Sequence, residues 1–362
     1  MLLWMIERMA STVNGTGVTP PFLTARIGLA AVVSFLATLL LGPRSIRWLK
    51  SHFAERIDSA SERLNQLHAA KAGTPTMGGM FVSSAIVLSV LLFGNLTNSR
   101  VQLALFVTIT FTLLGCMDDW IKLTTKKRGL TARQKLFGQI VLSGITTYCL
   151  IRIQGDSPHG KSLVWPMGLG SIPLGMLFFP WAIFVLVGTS NAVNLTDGLD
   201  GLAAGCSIFA GAAVTAAIYM SGHRELATYL GIPHFIGIGE LAVPLSAMAG
   251  ALLGFLWFNV HPAQVFMGDA GSLPLGALLA VGALASRQEI FLAIVGGVFV
   301  AETVSVILQI SSYRLRGKKI LACSPLHNHY VFAQVPETRI VVRFWIVSAI
   351  LAVLGLVTLK SL

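Results

Sequence analysis

The sequence predicts an all-α, polytopic integral membrane protein with about ten transmembrane helices in 362 residues. Three observations carry this. Hydrophobic residues make up 54% of the chain and charged residues 11%, against roughly 25% charged in a soluble domain. Charge-free runs recur along the chain, close to the roughly 20 residues that cross a bilayer core. The remaining charge is basic, 26 Lys and Arg against 15 Asp and Glu, and it clusters between the runs. This composition excludes a disordered chain, a disulfide scaffold and most soluble enzymes.

The runs in order are Ile27–Pro43, Ala72–Ser99, Val101–Met117, Leu136–Ile151, Ser162–Thr196, Gly201–His223, Leu241–Gly268, Ala270–Ser286, Ile290–Tyr313 and Phe344–Leu359. In lipid each must be helical, because a helix satisfies its own backbone hydrogen bonds. Ala72–Ser99 opens on Gly73-Thr74-Pro75, and Ser162–Thr196 contains Trp165-Pro166, so both include loop. Ala270–Ser286 is short for a span, and Glu302 interrupts Ile290–Tyr313. Met1–Ala10 shows neither a basic start nor a cleavage pattern and is expected to belong to the mature chain, and residues 1–21 are expected to be an extracytoplasmic segment. Residues 22–362 are expected to form one transmembrane domain. Cys116, Cys149, Cys206 and Cys323 are scattered, with no metal or disulfide spacing.

Ten spans leave nine gaps on alternating sides. The first, third and ninth hold 18 of the 26 basic residues. The positive-inside bias makes the odd gaps cytoplasmic and both termini periplasmic. The net charge of +11 is therefore mainly topology, and nucleic acid is not an expected partner. The even gaps are bland, except that Gln154–Ile172 and His223–Gly239 are rich in Gly and Pro and could hold a hairpin or re-entrant turn.

The unusual polar residues fall in the odd gaps. Asp118 and Asp119 end the third span. Adjacent carboxylates at a membrane boundary repel each other, and a divalent cation, a cationic group or a shared proton would relieve that. Asp118 and Lys122 would share a helix face, so a solvated helix end with an ordinary ion pair also accounts for them. In the fifth gap Asn191, Asn194 and Asp197 recur every three residues, within about a 120° arc of a helix, ahead of Asp200 and Gly201. Loop composition explains the residue types but not their common register. Asp269, between Gly268 and Ala270, suits either a helix N-cap or a ligand for Mg²⁺. Nearby Phe266 could stack on a base or serve as a membrane anchor. His327 and His329 flank Asn328 in the ninth gap, a weak zinc signal better suited to phosphate contact or proton transfer. Lys71 and Thr76 lie in a Gly- and Thr-rich segment that suits a phosphate without being a P-loop. Carboxylates for Mg²⁺ and cations for phosphate on one face are the inventory of phosphoryl transfer between a soluble donor and a lipid acceptor.

The runs that carry these residues are Gly73-Thr-Pro-Thr-Met-Gly-Gly79, Asp118-Asp119, Asn191-Ala-Val-Asn-Leu-Thr-Asp-Gly-Leu-Asp-Gly201, Pro262-Ala-Gln-Val-Phe-Met-Gly-Asp269, Leu315-Arg-Gly-Lys-Lys-Ile320, Pro325-Leu-His-Asn-His-Tyr330 and Val342-Arg-Phe-Trp345. Together they resemble the bacterial phospho-N-acetylmuramoyl-pentapeptide transferase family, within the polyprenyl-phosphate N-acetylhexosamine-1-phosphate transferases. The resemblance runs from about Thr24 to Lys360. It implies a bacterial inner-membrane enzyme, often a homodimer, active on its cytoplasmic face. Phospho-MurNAc-pentapeptide would pass from UDP-MurNAc-pentapeptide to undecaprenyl phosphate with Mg²⁺, giving lipid I and UMP. It implies Asp269 as the principal Mg²⁺ ligand, and Asp118 and Asp119 beside the lipid phosphate with one of them the base. Asn191, Asn194, Asp197 and Asp200 would line the nucleotide region, with Phe266 near uracil and Gly268 in the binding motif. Lys71, Thr76, Lys122 and Asn259 would surround phosphates or uridine. His327 and His329 match the outer members of a motif whose middle residue is usually His and is Asn328 here. Two rivals remain at this stage. One is a sister enzyme moving GlcNAc-1-phosphate; the other is a secondary transporter, favoured by Glu302 inside the ninth run, with Glu240 at the edge of the seventh.

Overall fold

The structure is a computed structural model that describes residues 23–52, 73–125, 129–154 and 156–360. Residues 1–21 and Lys71 lie outside these. The helices are α1 (Leu23–His52), α2 (Gly79–Phe93), α3 (Ser99–Thr124), α4 (Ala132–Gln154), α5 (Phe178–Thr196), α6 (Leu202–Gly222), α7 (Arg224–Leu230), α8 (Ala242–Asn259), α9 (Asp269–Ser286), α10 (Glu289–Val295), α11 (Gly297–Arg316), α12 (Leu326–Phe332) and α13 (Glu337–Thr358). Between α4 and α5 two short strands, β1 (Ser162–Val164) and β2 (Ser171–Pro173), form an antiparallel hairpin with Ser162 opposite Pro173. This is the hairpin expected in the fourth gap, and α7 occupies the sixth.

Among the described residues nine helices are long and apolar enough to cross a membrane. The protein is thus an all-α, multi-pass membrane protein. The second predicted span, Ala72–Ser99, contains only the 15-residue α2. The reason lies in its first residues, which run extended into the bundle beside residues 266 and 267. Phe266 N donates to Pro75 O at 2.8 Å, Gly78 N to Phe266 O at 2.9 Å and Gly79 N to Met267 O at 2.9 Å. The run Leu241–Gly268 likewise stops being helical at Asn259, and Ile290–Tyr313 breaks at Gly296 into α10 and α11.

The short span Ala270–Ser286 is the centre of the molecule. Every residue of α9 is buried. It packs against α2, α3, α5, α6 and α8. Lipid supplies no hydrophobic drive for helices to associate, so close packing of small residues carries much of the contact. Gly115 of α3 lies on the backbone of Asp269, Gly79 of α2 on Gly271, and Gly276 of α9 on the backbone of Thr189 and Ser190 in α5. A Cβ at any of the three would overlap main chain.

The two ends of the bundle are distinct. At one end the even gaps meet each other and the start of α1: Arg26 pairs with Glu240 at 2.5 Å, Asn98 Nδ2 donates to Gly237 O at 2.8 Å, and Arg287 Nε to His159 O at 3.1 Å. At the other end the odd gaps meet, as the bonds between Pro75 and Phe266 show for the first and seventh. The alternation read from charge-free runs therefore holds. Gly79→Leu should force α2 away from α9 and lower stability in detergent by roughly 1–3 kcal/mol or more. A melting temperature equal to wild type would refute the close crossing.

Candidate active site

The N-terminus of α9 sits where α3, α4 and α5 come together. Asp118 and Asp119, in the last turns of α3, and Asp269, the first residue of α9, are all buried. Asp269 is not the N-cap that its position suggested. Gly268 holds that place with φ +70°, a conformation that favours glycine, and with no side-chain cap. The cap comes from another helix: Asp119 Oδ2 accepts the N–H of Ala270 at 3.0 Å. A Cβ at Gly268 would stand 2.6 Å from that same oxygen and 2.9 Å from Thr76 Oγ1. Asp118 Oδ1 accepts from Leu130 N at 2.8 Å, closing the turn into α4.

The remaining oxygens of the three acids converge. Lys122 Nζ lies 2.5 Å from Asp118 Oδ2, 3.5 Å from Asp119 Oδ1 and 3.2 Å from Asp269 Oδ2. Lys135 of α4 reaches the same Asp269 oxygen at 2.6 Å and Asn194 Oδ1 at 3.2 Å. Asn194 Nδ2 donates to Asp269 Oδ1 and to Ser272 Oγ, both at 2.8 Å. The helix dipole of α9 also favours the negative charge of Asp269. The three acids can each offer one ligand oxygen, and these oxygens lie within 4.8 Å of one another. An all-oxygen donor set of this kind suits a hard divalent cation.

The polar stripe of α5 divides. Asn194 serves the acids, whereas Asn191 exchanges hydrogen bonds with Gln139 of α4 at 2.8 and 3.3 Å. Asp197 caps the C-terminus of α5 and is half-buried. Asp200 is buried and ties three loops together. Its Oδ2 lies 3.0 Å from His261 Nδ1 and 3.2 Å from Ala263 N, and its own N–H donates to Glu337 Oε1 at 2.9 Å. Asp200, His261 and Glu337 form the second cluster of possible metal ligands among the described residues, but these hydrogen bonds already close it. Asn259 is a strut: Gly201 N donates to its Oδ1 at 2.9 Å, and its Nδ2 donates to Val265 O at 2.8 Å. Thr76 is buried and Phe266 half-buried, side by side across the bonds to Pro75.

The histidine segment is helical, so His327 and His329 do not share a face. His327 is buried against Glu302 and Gly198. His329 Nδ1 accepts from Ala322 N at 3.2 Å, within its own loop. The side-chain oxygen of buried Asn328 has no hydrogen-bond partner among the described residues. Sequence reasoning did not single out Lys135, Ser272, His261 or Glu337 as site residues. Ser272 lies one turn past Asp269 on α9, a spacing that could have pointed to it; Lys135, His261 and Glu337 each arrive from a different element.

Fold and site together define an integral membrane protein with a cluster of three buried acids, bounded by lysines, at one end of its bundle. The sequence profile of glycosyl transferase family 4 matches residues 101–287. The phospho-N-acetylmuramoyl-pentapeptide-transferase of Solidesulfovibrio magneticus is 45% identical over 345 residues, 94% of each chain. The protein of the same name from Oleidesulfovibrio alaskensis is 42% identical over 342 residues, again 94% of each. The chain belongs to the phospho-N-acetylmuramoyl-pentapeptide transferase family. Asn259→Ala would leave the Gly201 N–H and the Val265 carbonyl unpaired. The expected loss of stability is about 1–3 kcal/mol for each orphaned group, read by thermal denaturation in detergent.

Proposed function

We propose that the protein transfers phospho-MurNAc-pentapeptide from UDP-MurNAc-pentapeptide to undecaprenyl phosphate, releasing UMP and forming lipid I. The observation that carries this is the convergence of Asp118, Asp119 and Asp269 on one cationic centre, filled here by the Lys122 ammonium. The family names given above supply the substrate class. The lysine-rich loops support a cytoplasmic setting for this end of the bundle by the positive-inside bias, and the family names support a bacterial inner membrane as the bilayer. A soluble nucleotide donor and a lipid-embedded acceptor meet at such a boundary.

Asp269 would be the principal ligand of Mg²⁺, and the ion's charge would offset that of the pyrophosphate. The side chain of Lys122 is 38% exposed, so its ammonium can leave the centre for a phosphate oxygen without breaking the packed interior. Lys135 and Asn194 hold Asp269 in place from α4 and α5. Asp118 or Asp119, through the oxygen that faces the centre, takes the proton of the lipid phosphate. A phosphate oxygen of the lipid then bonds to the β-phosphorus, the bridging P–O bond breaks, and UMP leaves with the bridging oxygen. The Asp197–Gly201 loop and Phe266 would flank the nucleotide. Positioning and charge neutralisation account for most of the rate in such transfers.

The test gives purified protein undecaprenyl phosphate and Mg²⁺ with either UDP-MurNAc-pentapeptide or UDP-GlcNAc. UMP should form only with the first. UMP only with UDP-GlcNAc would reassign the chain to the sister activity, and none with either sinks both. Asp269→Asn should abolish turnover while the melting temperature shows the protein folded. It should also weaken Mn²⁺ binding, followed by electron paramagnetic resonance, by at least about tenfold. Near-normal turnover at saturating Mg²⁺ would remove Asp269 from its role.

A further inference from the structure

Glu302 is fully buried in the apolar helix α11, where an unpaired carboxylate would be costly to keep charged. It heads a row of buried polar residues, Glu302, Ser305, Gln309 and Ser312, spaced three, four and three apart and therefore on one helix face. The chain after α11 folds back along that row. Ser312 Oγ donates to Lys318 O at 2.9 Å. Gln309 accepts from Ile320 N at 3.0 Å and Leu321 N at 2.9 Å, and donates to Leu321 O at 2.9 Å. Glu302 completes the ladder: Oε1 accepts His327 N at 3.1 Å, and Oε2 lies 3.2 Å from His327 Nδ1. Ten residues of helix, about 15 Å of axis, separate Ser312 from Glu302. The polar row thus draws α12 into the bundle, as far as the loop that follows α5.

We infer that Glu302 is the positioning residue of His327, holding the imidazole so that Nε2 faces Gly198 in the Asp197–Gly201 loop. A carboxylate only accepts hydrogen bonds, so the proton on Nδ1 is fixed. Nε2 is then the ring atom that carries the free lone pair. It packs on Gly198 so closely that a Cβ there would overlap the ring. Glu302 also receives the N–H of His327 at the start of α12, where Pro325 offers no side-chain cap. The inference rests on the proposed function for one point, that the Asp197–Gly201 loop borders the donor nucleotide. Glu302 touches no substrate in this scheme and acts through His327.

The experiment is a double-mutant cycle on kcat, at saturating substrates, with Glu302→Gln, His327→Ala and the pair. Gln can still accept the backbone N–H, so the melting temperature should stay close to wild type. Its amide can also donate, so the ring loses its single orientation. The expected result is a kcat loss of about 10- to 100-fold for Glu302→Gln, with KM little changed. The double variant should be no slower than His327→Ala alone. Losses that multiply in full, wild-type kcat in Glu302→Gln, or a silent His327→Ala would each overturn the inference. A measurement independent of turnover accompanies it. In ¹⁵N-histidine-labelled protein, the His327 signals, assigned by difference against His327→Ala, should report Nδ1 protonated. A neutral ring protonated on Nε2 overturns the inference even if Glu302→Gln does not fold. Absence of UMP from the wild-type protein would defeat the proposed function and leave this nitrogen signal to judge the pairing by itself.

Discussion

A buried negative charge at the first turn of a buried helix constrains the rest of this molecule. Asp269 begins α9, whose residues are all shielded by neighbouring helices. Charge in such a place is tolerable only with partners, since desolvation is expensive and the attraction of a good neighbour is strong. Two lysines and an asparagine from three different helices meet that need. Because their reach is short, α3, α4 and α5 must end or begin at the same level as α9. Small residues at the crossings make this possible, with Gly115 lying on the backbone of Asp269 itself.

The same economy explains why one end of the bundle carries the polar chemistry. Asp119 serves at once as cap for α9 and as part of the acidic centre. Asp200 joins the loop after α5 to the loop after α8 and to the start of α13. Asn259 bonds the first of these loops to the backbone at Val265. Side chains that would be mere loop residues in isolation become braces when their backbones are held together. The opposite end uses polar residues too, in the Arg26–Glu240 and Arg287 contacts, but there they tie loops to helix ends and to each other.

Glu302 shows how a local reading can mislead. A single acid inside an apolar run suggests an ion pathway, and on that ground it favoured a transporter. In the fold it is paired with His327 and belongs to a row with Ser305, Gln309 and Ser312. That row is visible in the sequence as a three-four-three spacing, so the signal existed. What it meant was not visible, because the segment that docks on it lies beyond a turn and has no periodicity of its own.

The sequence by itself determined the membrane class, the alternation of loops and the identity of most acids and amides at the site. These follow from composition and spacing: apolar runs long enough to span, basic residues gathered in alternate gaps, and polar groups too scarce to be accidental. It also marked α9 as a span while giving no reason to place it at the centre. Only the tertiary structure decided that Asp119 caps a helix far away in sequence, that Lys122 and Lys135 share one oxygen of Asp269, and that His327 and His329 face different ways. It also decided that the run from Ala72 yields a short helix, since its first residues bond to the chain beside Phe266. The division has one physical cause. Partitioning between water and lipid acts on each stretch of chain separately and so can be read locally. Hydrogen bonds and ion pairs across helices depend on which surfaces meet.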